Sequence, residues 1–86
     1  MNYKLYYSEC TEREGSWQRP DGFVMSNDKD KLQNKIDGLL KYAGELSWEY
    51  HEIKSIEVNQ DRYEFFLSGS KEGIYFGDNY EWEKFR

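Results

Sequence analysis

Cys10 and His51 are the two side chains in this sequence that could act as a nucleophile and its base. Glu49 or Glu52, both close to the histidine, could orient its imidazole ring. A cysteine nucleophile, however, needs nearby cations or a helix N-terminus to lower its pKa. Cys10 lies in the acidic segment 9–14, which raises the pKa of the thiol instead. We therefore predict a structural cysteine in a protein that is not an enzyme.

Metal and cofactor motifs are not found in the chain. One His and one Cys are too few for a zinc site, and Asp28 and Asp30 stand in a helical pattern rather than in a calcium loop. Glu81 and Glu83 could form an acid–base pair, but residues two apart on a strand merely share one face. No Gly-rich phosphate loop or Gly-x-Ser-x-Gly motif is present. The sequence predicts neither a metal nor a cofactor.

Acidic residues are concentrated in the second half of the chain. The 86 residues carry a net charge of −5. Residues 1–44 hold seven acids and seven bases, whereas residues 45–83 hold ten acids and three bases. Direct binding of nucleic acid is disfavoured, because it requires Lys and Arg to displace counterions from phosphates. The excess charge suits docking on a basic protein surface, with electrostatic steering of the encounter.

A close row of carboxylates can imitate nucleic acid, since duplex DNA carries about one phosphate charge per 1.7 Å of axis. We predict a partner-binding surface of five glutamates and one aromatic anchor: Glu45, Glu49, Glu57, Glu81, Glu83 and Trp82. The expected partner is a basic protein surface, in particular that of a nucleic-acid-binding complex. The functional hypothesis is a nucleic-acid-mimicking inhibitor from a phage or mobile element, acting on a defence or DNA-processing complex.

Two alternatives to this hypothesis stay open. Aromatic residues make up 19% of the chain, more than one small core requires. Acids beside aromatic rings could therefore form a pocket for Arg or methylated Lys in basic peptides, through cation–π contacts. The acidic face could also belong to a structural protein and serve only solubility and protection of strand edges. The sequence specifies no oligomeric state.

The pattern of apolar and polar residues predicts a single α+β domain over residues 1–86. Alternating apolar residues predict strands at 2–8 and 23–25, joined by a loop over 9–20. A helix follows, because apolar residues recur along one stripe and Gly44 provides a terminator. These apolar positions are Leu32, Ile36, Leu39, Leu40 and Ala43.

The second half is predicted to be β-structure. Residues 46–58 form a long strand whose alternation breaks near Glu52, which indicates a bulge or kink. Residues 59–69 fit either a return strand or a short helix capped by Asn59, and the β-prone run "YEFFL" favours the strand. Residues 74–85 form a hairpin with its turn at 78–79. The expected order is β-β-α-β-β-β-β, one helix packed on a mostly antiparallel sheet in a two-layer sandwich.

Targeting signals are not expected. The chain has no run of about 18 apolar residues that would span a membrane, and the start "MNYKLYYSEC" lacks the basic and apolar regions of a signal peptide. A single cysteine forms no internal disulfide. These features predict a cytoplasmic protein that makes no contact with a membrane.

Overall fold

The computed structural model describes residues 2–14, 16–43 and 48–85. Strands and helices together confirm the predicted α+β class, and within these ranges no helix is long and apolar enough to cross a membrane. In chain order the elements are β1 (Tyr3–Glu14), β2 (Trp17–Ser26), α1 (Lys29–Ala43), β3 (Trp48–Tyr50), β4 (Lys54–Val58), α2 (Gln60–Gly69), β5 (Ile74–Gly77) and α3 (Asn79–Trp82).

All pairings in the sheet are antiparallel. β1 pairs with β2 along one edge, and β5 pairs with the far edge of β2. The other edge of β1 pairs with β4 over residues 3–7 and with β3 over residues 10–12. The first strand is longer than predicted, because residues 9–14 continue it into an extended hairpin with 17–23 instead of forming a loop.

The predicted irregularity near Glu52 is confirmed. Tyr50 lies opposite Cys10 and Lys54 lies opposite Tyr7, so four steps on one strand match three steps on β1. The intervening backbone is anchored at His51, whose N–H donates to the Glu9 carbonyl at 2.9 Å and whose carbonyl accepts from Ser8 Oγ at 2.6 Å. Because of this extra residue, the alternation of side chains between the two faces of the sheet is reversed from β3 to β4. The reversal changes which acidic residues share a face.

Both faces of the sheet are covered, so the predicted two-layer arrangement is wrong. The α1 face, to which the even-numbered residues of β1 project, forms one core with Val24, Leu32, Ile36 and Ile74. The opposite face, here called the α2 face, forms a larger core with Leu5, Phe23, Met25, Val58, Phe66, Tyr75 and Phe85. Three layers result because both the odd-numbered and the even-numbered positions of β1 and β2 carry apolar side chains. These side chains project to opposite faces of the sheet, and both faces must be covered to remove them from water.

Residues 59–69 form a helix, so the strand that the run "YEFFL" favoured is wrong. Asn59 caps α2, because its side-chain oxygen accepts from the backbone N–H of Arg62 at 2.9 Å. Tyr63 and Phe66 are three residues apart and therefore lie on one side of the helix, where both join the α2-face core. Capping and this spacing outweigh the weaker β-propensity of the aromatic run.

The predicted C-terminal hairpin is also wrong. After β5, Asp78 caps the single turn of α3 by accepting from the backbone N–H of Glu81 at 2.8 Å. Phe85 follows that turn and is fully buried in the α2-face core. Aspartate at this position caps a helical turn rather than supplying a hairpin turn, because the turn lets Trp82 and Phe85 pack back on the sheet. The observed order is β-β-α-β-β-α-β-α.

We expect Asn59→Ala to lower the free energy of unfolding by about 1 kcal/mol, because it removes the acceptor for an orphan amide of α2. Urea unfolding followed by circular dichroism measures the change. Asn34→Ala, at an exposed position inside α1, is the matched control and should be neutral or slightly stabilising. Equal effects of the two substitutions would contradict the capping role.

The position of Gly22 requires glycine, and the variant Gly22→Ala should reveal this requirement. Its φ is +154°, and a Cβ there would overlap with the carbonyl oxygen of Gly77 on β5. We expect the substitution to lower the free energy of unfolding by more than about 2 kcal/mol. Gly38→Ala, inside α1 and with open space around its Cβ position, should instead raise it by about 0.5–1 kcal/mol. Thermal and urea unfolding of both variants test this contrast.

Candidate functional site

The five predicted glutamates do not form one row. Glu45 lies outside the described residues. Glu49 is opposite Thr11 and Glu57 is opposite Lys4. Because Thr11 and Lys4 have opposite parity on β1, Glu49 projects to the α2 face and Glu57 to the α1 face. The extra residue between β3 and β4 causes this division, which simple alternation along 47–58 does not anticipate.

Glu81 is occupied by an internal contact. Its carboxylate accepts a hydrogen bond from the hydroxyl of Tyr75, which is buried in the α2-face core. Burial, and then the bond to this carboxylate, raise the pKa of Tyr75 above the usual value for tyrosine. Glu81 therefore holds α3 against β5, a structural role that the sequence pattern does not reveal.

Trp82 is a half-buried residue rather than a projecting anchor. Its ring lies 4.4 Å from that of Tyr7 and 4.9 Å from that of Phe23, measured between centroids. These contacts pack the indole against the α2-face core. The remaining surface of the side chain forms part of a cleft wall.

That cleft lies between α3 and the β1–β2 hairpin and has a volume of about 320 Å³. The side chain of Asn79 donates to the carbonyl of Pro20 at 2.8 Å, which ties α3 to the hairpin. The lining of the cleft combines two exposed carboxylates, polar groups and apolar surface: Glu9, Cys10, Thr11, Pro20, Gly22, Phe23, Asn79, Trp82 and Glu83. Glu83 and Trp82 are thus two predicted site residues that the structure brings together.

Glu9 is a cleft residue that the sequence analysis missed. Its parity continues that of Tyr3, Leu5 and Tyr7, so a longer first strand would have placed it on the same face. The prediction of a loop over 9–20 removed that signal. Strand pairing with residues 17–23 is what extends β1 past Ser8, and this is a property of tertiary structure.

A hydrogen-bonded network lies next to the cleft on the α2 face. Gln18 donates its side-chain amide to the carboxylate of Glu49. Thr11 Oγ1 lies 3.0 Å from His51 Nε2 and 3.5 Å from the side-chain oxygen of Gln18. Since Thr11 also lines the cleft, Glu49 is held beside it and adds a third carboxylate to this side of the protein.

Cys10 and His51 do not form a nucleophile–base pair. His51 contacts Thr11 on the α2 face, whereas Cys10 precedes Thr11 on the same strand and projects to the α1 face. Burial, and then the negative charge of Asp21, raise the pKa of the Cys10 thiol. Cys10 shares a hydrogen bond with Tyr50, and burial raises the pKa of that phenol to about 12. A thiol with a raised pKa is a poor nucleophile at neutral pH.

The contact between Tyr75 and Glu81 predicts a measurable loss of stability in alkali. Because the folded-state pKa of Tyr75 is raised, the unfolded chain ionises first and stability falls as the pH rises above about 10. Tyr75→Phe should lose less free energy of unfolding than the wild type between about pH 9 and about pH 11. At neutral pH it should be about 1 kcal/mol less stable, since the bond to Glu81 is lost.

Urea unfolding across this pH range measures both effects. Tyr80→Phe is the matched control, because Tyr80 is 88% exposed and its hydroxyl should contribute to neither quantity. An unchanged alkaline slope in Tyr75→Phe would show that the Tyr75 phenol is not the group responsible.

Within the described residues, no group of three or more His, Cys, Asp and Glu side chains is arranged to hold a metal ion. Comparison of the chain with protein-family models, curated proteins and solved structures finds no match. The geometry and charge of the cleft are therefore the basis for assigning a function.

Proposed function

We propose that this protein is a non-enzymatic binding protein that docks on a basic partner through the acidic cleft beside α3. The observation that carries the proposal is the position of Glu9 and Glu83 around a cleft walled by Trp82, with Glu49 held on the same face by Gln18. These groups can receive cationic side chains without any change in the fold.

The lining suits long basic side chains. Lys and Arg keep their charged ends in water while their aliphatic stems lie along apolar surface, and the indole of Trp82 supplies such a surface next to the carboxylates. A volume of about 320 Å³ is at the lower end of the range for small binding sites, about 300–1,000 Å³. The cleft therefore suits one or two side chains of a basic surface.

The class of partner that we favour is a protein whose basic surface ordinarily binds nucleic acid. Such a surface is built to meet closely spaced negative charges, and Glu9, Glu49 and Glu83 present three carboxylates on one side of the sheet. Occupation of the surface would block access of nucleic acid. We therefore propose an inhibitor of a defence or DNA-processing complex, of the kind that phages and mobile elements encode.

Replacement of the cleft acids should weaken this binding and its dependence on salt. The test variant combines Glu9→Gln, Glu49→Gln and Glu83→Gln. Exposed charge pairs contribute about 0.2–1 kcal/mol each, so three together should change the dissociation constant about tenfold at low ionic strength. Duplex DNA added as a competitor should displace the protein from a partner of the proposed class.

The measurement is an affinity pull-down at low and at high salt, with mass spectrometry and then titration of the retained proteins. The matched control combines Glu57→Gln, Asp61→Asn and Glu64→Gln, which change the net charge equally at exposed positions outside the cleft. A partner retained by the control but lost by the cleft variant supports the proposal. A partner retained equally by both variants contradicts it.

A further inference from the structure

A second pocket lies on the α1 face, where four strands run side by side. Tyr50 of β3 is opposite Cys10, and Cys10 is opposite Gly22. Gly22 in turn closely approaches Gly77 on β5. Small residues thus occupy the two middle strands, and larger side chains on the outer strands leave a depression of about 180 Å³ between them.

The walls of this pocket are aromatic and partly open to solvent. Trp48 and Tyr50 stand on one side and Phe76 stands on the other. Trp48 is 38% exposed and Phe76 is 54% exposed, although burial of such rings normally supplies much of the stability of a small domain. Tyr50 contacts the α1-face core, so the pocket opens directly beside packed and ordered structure.

One carboxylate lines the same pocket. Asp21 is the extra residue of β2, since Cys10 is opposite Gly22 while Thr11 is opposite Pro20. A bulge of this kind re-aims a side chain that regular pairing would place elsewhere. The charge of Asp21 acts on the pocket interior, because it contributes to the raised pKa values of both Cys10 and Tyr50.

A cation already lies over one of these rings. The ammonium of Lys35, on α1, is 5.7 Å from the centroid of the Phe76 ring, within the distance at which cation–π attraction acts. The ring of Phe76 therefore already attracts a positive charge to one of its faces. The pocket combines flat aromatic walls with one acidic group.

We propose that this pocket binds the guanidinium group of an arginine side chain from a partner polypeptide. Guanidinium is planar, stacks on aromatic faces, pairs with a carboxylate through two hydrogen bonds and is weakly hydrated. A lysine ammonium is more strongly hydrated and offers no flat surface for stacking. This site lies on the face of the sheet opposite the acidic cleft, so it stands whether or not the cleft binds a partner.

Titration with N-acetyl-arginine methylamide, followed by heteronuclear NMR, tests the assignment. The indole N–H signal of Trp48 should shift with a dissociation constant of about 1–10 mM, as expected for a small probe. The signal of Trp82, on the opposite face, should stay in place. The citrulline analogue has the same shape without the charge and should bind at least about tenfold more weakly.

Two substitutions locate the site. Asp21→Asn should weaken binding of the arginine probe about tenfold, and Asp61→Asn on α2 is its charge-matched control. Phe76→Leu should weaken it about threefold through loss of stacking, and Phe65→Leu on α2 is its control. Because Phe76 is more than half exposed, this variant tests the site even if Asp21→Asn disturbs the bulge.

Each contrary outcome has a clear meaning. No shift of the Trp48 signal, equal binding of the citrulline analogue, or full affinity in both pocket variants overturns the proposal. Tighter binding of tetramethylammonium than of the arginine probe also overturns it, because the pocket would then select a methylated ammonium group rather than guanidinium.

Discussion

β1 runs through the sheet without a bulge, while the strands on both of its sides carry one extra residue at nearly the same height. On one side the extra residue is Asp21, next to the pairing of Cys10 with Gly22. On the other side it lies within residues 51–53. Each bulge increases local twist and reverses side-chain parity along its strand. The acidic cleft and the aromatic pocket both border this region, on opposite faces.

These bulges also reduce the repulsion between acidic side chains in the sheet. Like charges directly opposite or adjacent on one face of a sheet destabilise it, and a regular strand over 47–58 would place Glu49 and Glu57 on the same face. The extra residue sends them to opposite faces. The remaining repulsion is reduced because Gln18 binds Glu49 and Tyr75 binds Glu81. Segregation of charge in the sequence therefore does not become an unbroken acidic stripe in the fold.

Aromatic side chains serve two different purposes in this protein. Those on the α2 face, including Phe23, Phe66, Tyr75 and Phe85, form a contiguous core in which ring centroids lie 5.4–6.4 Å apart. Those around Cys10 on the α1 face stay partly exposed because the floor between them is built from glycine and cysteine. Ring burial stabilises the first set, whereas the second set remains available for stacking with a ligand.

Elements whose signals are local could be predicted from the amino-acid sequence. The stripe of apolar residues predicted α1, the alternation at 2–8 predicted the start of β1, and the break near Glu52 predicted the bulge, since each depends on residues close together in the chain. The cap at Asn59 was also readable, but it competed with a β-prone run, and only packing of Tyr63 and Phe66 against the sheet decides between helix and strand.

Tertiary structure alone decided the rest. The pairing of residues 9–14 with 17–23 brings Glu9 into the cleft, and the return of residues 79–85 onto the sheet brings Trp82 and Glu83 to the same place. The positions of these three residues depend on strand register and on contacts between residues about 60–75 positions apart in the chain. A local sequence pattern carries no information about either. The parity of Glu49 and Glu57 likewise follows from one inserted residue, whose effect on each face appears only when β1 is paired with both strands.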